Sequence, residues 1–178
     1  MSDEEKIKLK EIFPCEVGKK KVDVFLKKVF GYGVDKILND CFIFYCNERK
    51  KRKDIFCMSK ELENLYARLK ENGILPYSIG LFLGSIMNNR YKPSLQLGSE
   101  ISLKAKKLEK GIIYVKNAKI SFGKTISLNE IALIKRNESG IYLVLLQDET
   151  FLGWGILKRK ILVPLADIGL YLRGFEFS

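Results

Sequence analysis

The sequence predicts an α+β fold in two units, an N-terminal α/β domain over residues 1–97 and a β-rich domain over residues 98–178. Three observations predict it. Helical and extended patterns alternate through the first half. From Gly111 to Leu157, β-branched and aromatic runs recur at close spacing with polar turns between them, the signature of a small closed sheet, a barrel or pseudo-barrel. The chain has 178 residues, 47% hydrophobic and 30% charged, which suffices for one domain or two small ones, each with its own core.

Residues 3–12 read as a short amphipathic helix (Ile7, Leu9, Ile12) ended by Pro14. Over residues 17–30, Val22, Phe25, Leu26, Val29 and Phe30 share one helical face, and Lys19, Lys20, Lys21, Lys27 and Lys28 surround it. Gly31 and Gly33 close that helix, and Val34 to Leu38 can add a turn. Cys41–Cys46 and Asp54–Met58 read as strands of a hairpin whose loop carries the cations Arg49 to Lys53. These five charges repel one another unless an anion screens them, so the loop is either an exposed tip or an RNA contact. Ser59 caps a helix through Asn72, with Leu62, Leu65, Tyr66 and Leu69 at helical spacing and Asn72-Gly73 as its stop.

Gly80 and Gly84 stand in an apolar context with no Gly-Lys-Ser/Thr after them, so they signal close backbone packing and not a phosphate loop. Ser94–Leu97 alternates as a strand does, and the lysine-rich stretch 98–110 reads as the junction between the halves. In the second half, strands are expected at Ile112–Val115, Ile131–Ile134, Ile141–Leu146 and Phe151–Leu157. A short helical segment, Asn117–Phe122, closes on Gly123. Ile161–Val163 is the last strand, and Pro164 starts a closing helix, Leu165 to Leu172, that Arg173-Gly174 ends. Asp167 then has a capping or structural role in that helix.

The net charge is +11, with +6 in residues 1–97 and +5 in residues 98–178. A basic balance in both halves fits a polyanion partner, and it also fits a lysine-rich surface of the kind thermophiles carry. The four cysteines, Cys15, Cys41, Cys46 and Cys57, show no CxxC spacing, and the chain has no histidine. They read as free thiols packed as small hydrophobes in a reducing cytoplasm, with a four-cysteinate zinc site as the alternative. The N-terminus lacks the apolar core of a signal peptide, and no apolar run reaches the length of a membrane span.

Without histidine, the usual general base near neutral pH is missing. No nucleophile-elbow, zincin, dinucleotide or P-loop pattern is present. The expectation is a protein that is not an enzyme and has no catalytic residue, no metal and no cofactor.

The order of the C-terminal features resembles the PUA domain, an RNA-binding module. The matching features are a first strand, a short helix with Ala118 and Phe122, then Gly123, two long strands, and a strand with the alternating glycines Gly153 and Gly155. Here Phe122 abuts Gly123, and Asn129 and Glu130 stand where the family often has a glycine. Three further stretches widen the match. They are Ser78-Ile79-Gly80-Leu81-Phe82-Leu83-Gly84, the hairpin from Cys41 to Ser59, and Ala166-Asp167-Ile168-Gly169-Leu170-Tyr171-Leu172-Arg173. Together they resemble the Nip-seven family of large-ribosomal-subunit biogenesis factors, as an archaeal homologue with a C-terminal PUA domain.

That resemblance implies a cytoplasmic, non-enzymatic RNA-binding factor in pre-rRNA processing, with other assembly factors contacted through the N-terminal domain and no membrane partner. An RNA-recognition accessory subunit of an RNA-modification enzyme is the alternative. The resemblance also places an RNA groove between the short helix, its glycine loop and the final strand. Lys119, Gly123 and Lys124 lie on one side of it. Lys158, Arg159 and Lys160 lie on the other, and Arg173 stands at the end of the closing helix. Strand alternation would send Lys158 and Lys160 to one face and Arg159 to the opposite one. Phe122, Trp154 and Tyr142 are expected in the core.

Overall fold

The computed structural model describes residues 12–49, 51–76 and 78–169. Residues 3–11 of the expected helix and the residues from Leu170 onward, Arg173 among them, lie outside the described residues.

In chain order the elements are β1 (Phe13–Pro14), α1 (Glu16–Phe30), α2 (Val34–Ile37), β2 (Ile43–Arg49), β3 (Arg52–Met58), α3 (Lys60–Glu71), β4 (Leu81–Met87), β5 (Arg90–Pro93) and α4 (Leu95–Ser102). Then follow β6 (Ile112–Val115), a 3₁₀ turn (Lys119–Phe122), β7 (Ile126–Ser127), β8 (Ile131–Lys135), β9 (Ile141–Leu146), β10 (Phe151–Lys158) and β11 (Ile161–Asp167). The fold is α+β. A five-stranded antiparallel sheet has the order β1-β2-β3-β4-β5, and a curled six-stranded sheet has the order β7-β11-β10-β9-β6-β8. In the second sheet β6 and β9 run parallel, because β7 and β8 are threaded between them in the chain.

Helix α1 forms as its spacing predicts. Val22, Leu26, Val29 and Phe30 are buried, Lys27 and Lys28 lie in its last turn, and Gly31 caps it in the left-handed conformation. Helix α3 is capped by Ser59, whose side chain accepts from Leu62 N. Tyr66 is the buried anchor of α3, while Leu65 is 44% exposed, so the inward stripe is narrower than the sequence spacing implies. The glycine packing at and just before β4 is as expected, since a Cβ at Gly80 or Gly84 would collide with the carbonyl oxygens of Cys57 and Lys92.

Four expectations fail. Ser94–Leu97 is not a strand: Ser94 is the N-cap of α4 and accepts from Leu97 N at 2.9 Å. The alternation of Leu95 and Leu97 was real, but a serine that can cap decides for the helix. The boundary expected at 97/98 therefore falls inside α4. Pro164 does not start a helix. It sits within β11, opposite Gly155, where the register shifts between Trp154 and Gly155. A bulge of this kind tolerates proline because the ladder is already interrupted there. Asp167 accordingly ends a strand opposite Gly153.

The basic loop is also shorter than expected. Strands β2 and β3 extend until Arg49 pairs with Arg52, so Arg49, Arg52 and Lys53 belong to the strands and not to the loop. Finally, the cysteines are not free thiols. Cys15–Cys46 and Cys41–Cys57 form disulfides, with Cα separations of 5.4 and 5.3 Å, in the usual range. Gly18 makes room for the first of them, since a Cβ there would lie 2.9 Å from Cys15 Sγ and 3.0 Å from Cys46 Sγ.

The main core is shared between the sheets. Val22, Leu26, Phe30, Cys46, Ile55 and Leu83 pack in one cluster with Leu97, Ile112, Leu143 and Trp154. Trp154 is fully buried and donates its Nε1–H to Ser94 O at 2.8 Å. Its ring meets Phe25 and Phe30 at centroid distances of 5.5 and 6.1 Å. A smaller core inside the curled sheet holds Ile113, Val115, Ile120, Ile126, Tyr142 and Leu162. Tyr142 and Trp154 are thus core residues, as the sequence predicts.

Candidate nucleic-acid interface

The expected groove begins at the 3₁₀ turn Lys119–Phe122. Ile120 is fully buried and anchors the turn in the smaller core. Asn117 Oδ1 accepts from Lys119 N at 3.2 Å, which bends the chain into the turn. Gly123 ends it at φ 70°, a conformation few other residues adopt without strain. Ile120 pulled inward leaves Lys119, Phe122, Gly123 and Lys124 outside, and all four are exposed.

Phe122 corrects the expectation that it packs in the core, for it is 67% exposed. A 3₁₀ turn has three residues per turn, so burying Ile120 turns its neighbour two positions on toward solvent. The ring therefore stands beside a left-handed glycine and a lysine, where a flat partner could stack.

Glu130 holds this turn to the strand that follows. It accepts from Ser127 N at 3.1 Å, Ser127 Oγ at 2.8 Å and Asn117 Nδ2 at 3.1 Å, and it pairs with Lys119 Nζ. Ser127 and Glu130 form a reciprocal capping box. The hydrogen-bonded ammonium of Lys119, with the Ser127 and Asn117 donors, pushes the Glu130 carboxyl down to about 2. Lys119 is thus engaged by a carboxylate, and Lys124 is the unopposed cation of the turn. The Ser-x-x-Glu spacing of Ser127 and Glu130 was the sequence signal that would have found this clamp.

Lys158, Arg159 and Lys160 do not lie along a strand, so the alternation argument does not apply to them. Lys158 pairs with Ile161 across the β10–β11 hairpin, and Arg159 and Lys160 form its two-residue turn, with Arg159 at φ 54°. All three are exposed. None of Lys124, Lys158, Arg159 and Lys160 forms an ion pair among the described residues.

The β7–β11 ladder relates the two groups. Ile161 is opposite Ser127 and Leu162 is opposite Ile126. Continuing this antiparallel register carries Lys124 toward Pro164 and Lys160 toward Leu128. The two cationic groups thus stand at opposite ends of one short ladder, about 13 Å apart along the strands. The structure joins Lys119, Gly123 and Lys124 in one turn and Lys158, Arg159 and Lys160 in another. It sets the two turns along one edge of the sheet and not face to face.

No protein-family model matches the chain, and no curated protein matches it at a significant level. Among the described residues, no helix is long and apolar enough to cross a membrane, and no cluster of His, Cys, Asp and Glu could hold a metal ion.

Proposed function

We propose that this protein is a non-catalytic RNA-binding factor of the large ribosomal subunit assembly pathway, with its RNA edge on a PUA-type C-terminal sheet and its site of action in the cytoplasm. The observation that carries the reading is the exposed Phe122 ring beside left-handed Gly123 and unopposed Lys124, on the same sheet edge as the cationic turn Lys158–Lys160. RNA recognition needs cations for phosphates and flat groups for unstacked bases, and this edge offers both. The parallel β6–β9 pair and the short helical turn between them support a PUA-like pseudo-barrel. A net charge of +11 supplies the long-range attraction for a polyanion.

The reading predicts that the tagged protein, expressed in its own cells, co-sediments with large-subunit precursor particles and is released by ribonuclease. Sedimentation only with small protein complexes, unaffected by ribonuclease, would contradict it. Co-purification with a single RNA-modification enzyme in place of pre-ribosomes would favour an accessory-subunit role.

A further inference from the structure

The five-stranded sheet has a second surface with the chemistry of a nucleotide site. Residues directly opposite one another in a ladder share a face. Arg52 is opposite Met87, and Met87 is opposite Arg90, so the three form one row across β3, β4 and β5. One step inward, Asp54, Ser85 and Lys92 form the next row on the same face. Strand spacing puts the Arg52 and Arg90 backbones about 10 Å apart, and two residues along β5 put Arg90 and Lys92 about 7 Å apart. Arg52, Met87, Arg90 and Lys92 are exposed, and Met87 is 53% so.

This face is concave. A cavity of about 240 Å³ opens on it, and Arg52, Phe82, Ser85, Met87, Lys92 and Leu95 line it. The rim is cationic and the floor is apolar, with the Phe82 ring packed on Phe56 at 5.3 Å between centroids. Arg52 is held in place: its Nε donates to Asp54 Oδ1 at 2.5 Å, and the same oxygen accepts from Ser85 Oγ at 2.7 Å. That contact uses one of the guanidinium's five N–H donors and leaves both terminal NH₂ groups for an anion. Asp54, itself buried, is the one carboxylate on this face of β3, β4 and β5. The turn between β4 and β5 is tight, with Asn88 and Asn89 both at positive φ, and Lys21 Nζ donates to Asn89 O at 3.1 Å.

We propose that this groove is a second RNA site, which seats one unstacked base on Phe82, Met87 and Leu95 and binds its flanking phosphates with Arg52, Arg90 and Lys92. The choice of RNA as ligand rests on the function proposed above. The geometry favours it over an acidic peptide because the cations surround an apolar cavity large enough for a base, and carboxylates would leave that floor unused. Lys53 plays no part. It points to the opposite face and lies over the Phe13 ring at 5.9 Å.

The test uses the full chain and a ten-nucleotide oligouridylate carrying 4-thiouridine. Irradiation is expected to cross-link the RNA to peptides that contain Phe82 or Met87, as well as to the Phe122 region. The Arg90→Ala/Lys92→Ala variant should lose that first cross-link. Its affinity should fall on the order of tenfold, with a salt slope shallower by about 1.4, the value for two phosphates on a single strand. Arg90→Lys/Lys92→Arg should keep both, which separates charge from folding. If the variant binds and cross-links as the wild type does while Lys158→Ala/Lys160→Ala loses affinity, the groove proposal is overturned and the C-terminal site stands. If the wild-type chain binds no RNA, both are overturned. If polyglutamate displaces the RNA from the groove at equal charge concentration while a neutral competitor does not, the site reads charge alone, and the base-seating proposal falls.

Discussion

The two cationic hairpin ends of this molecule are built differently. At the β2–β3 end, Arg52 is pinned by the buried carboxylate of Asp54, inside a sheet stapled by two disulfides. At the β10–β11 end, Lys158, Arg159 and Lys160 project from a tight turn and form no ion pair among the described residues. The first arrangement fixes direction, which suits recognition of one phosphate in one place. The second keeps its rotamer freedom and its full charge, which suits capture of a backbone in many registers. A run of cations in a sequence therefore says little until the position of its nearest carboxylate is known.

The largest effects should come from the covalent and packed framework that holds both ends. Trp154→Ala would remove the ring that joins the two sheets, and a loss of about 3–5 kcal/mol is expected from urea unfolding. Cutting the Cys15–Cys46 bridge with Cys46→Ala, which opens a crosslink of 31 residues, should cost about 3–4 kcal/mol. The Cys41–Cys57 bridge spans 16 residues and should cost about 3 kcal/mol. Reduction with a thiol should lower the thermal midpoint in the same order, and an unchanged midpoint would show that the bridges do not form in solution.

A smaller effect, confined to binding, is expected at the C-terminal edge. Phe122→Ala should leave the unfolding midpoint within error, because the ring is exposed, yet weaken RNA binding by about 1–3 kcal/mol if it stacks on a base. Equal loss of stability and affinity would mean that the ring supports the fold instead. The smallest effect concerns pH. The Glu130 carboxyl is pushed down to about 2 by Lys119 and its other donors, below its unfolded value. Its stabilisation is therefore present above the unfolded value and lost as pH falls toward about 2. Glu130→Gln should flatten the acid limb of the stability curve in that window.

Much of the fold was legible because the periodicities were strong. Val22, Leu26, Val29 and Phe30 announce α1, and the β-branched runs announce β6, β8, β9 and β10. Ser94 and Pro164 were misread for different reasons: the Ser94 signal is local, a cap that accepts from Leu97 N three residues on, whereas the meaning of Pro164 depends on partners elsewhere in the chain. Pro164 is tolerated because β11 bulges at Leu165 beside it, where consecutive Trp154 and Gly155 of β10 pair with Ala166 and Pro164, and no window around Pro164 contains those partners. The disulfides were illegible for the same reason, since the pairing depends on β1, β2 and β3 lying side by side. In the candidate site, the left-handed Gly123 and the exposed Lys124 could be read from the sequence. The exposure of Phe122 could not, because it follows from which of two apolar residues two positions apart the small core claims, and Ile120 fits it.

The most direct test of RNA binding at the C-terminal edge is a fluorescence titration with a labelled uridine-rich single strand across a salt series. Duplex DNA of equal length serves as the comparison, and the Lys124→Ala/Lys158→Ala/Lys160→Ala variant is measured alongside. The account predicts tighter binding to the single-stranded RNA than to the duplex, and a variant that loses affinity and up to about two units of salt slope. Weak binding of equal strength to both nucleic acids, unchanged in the variant, would contradict it.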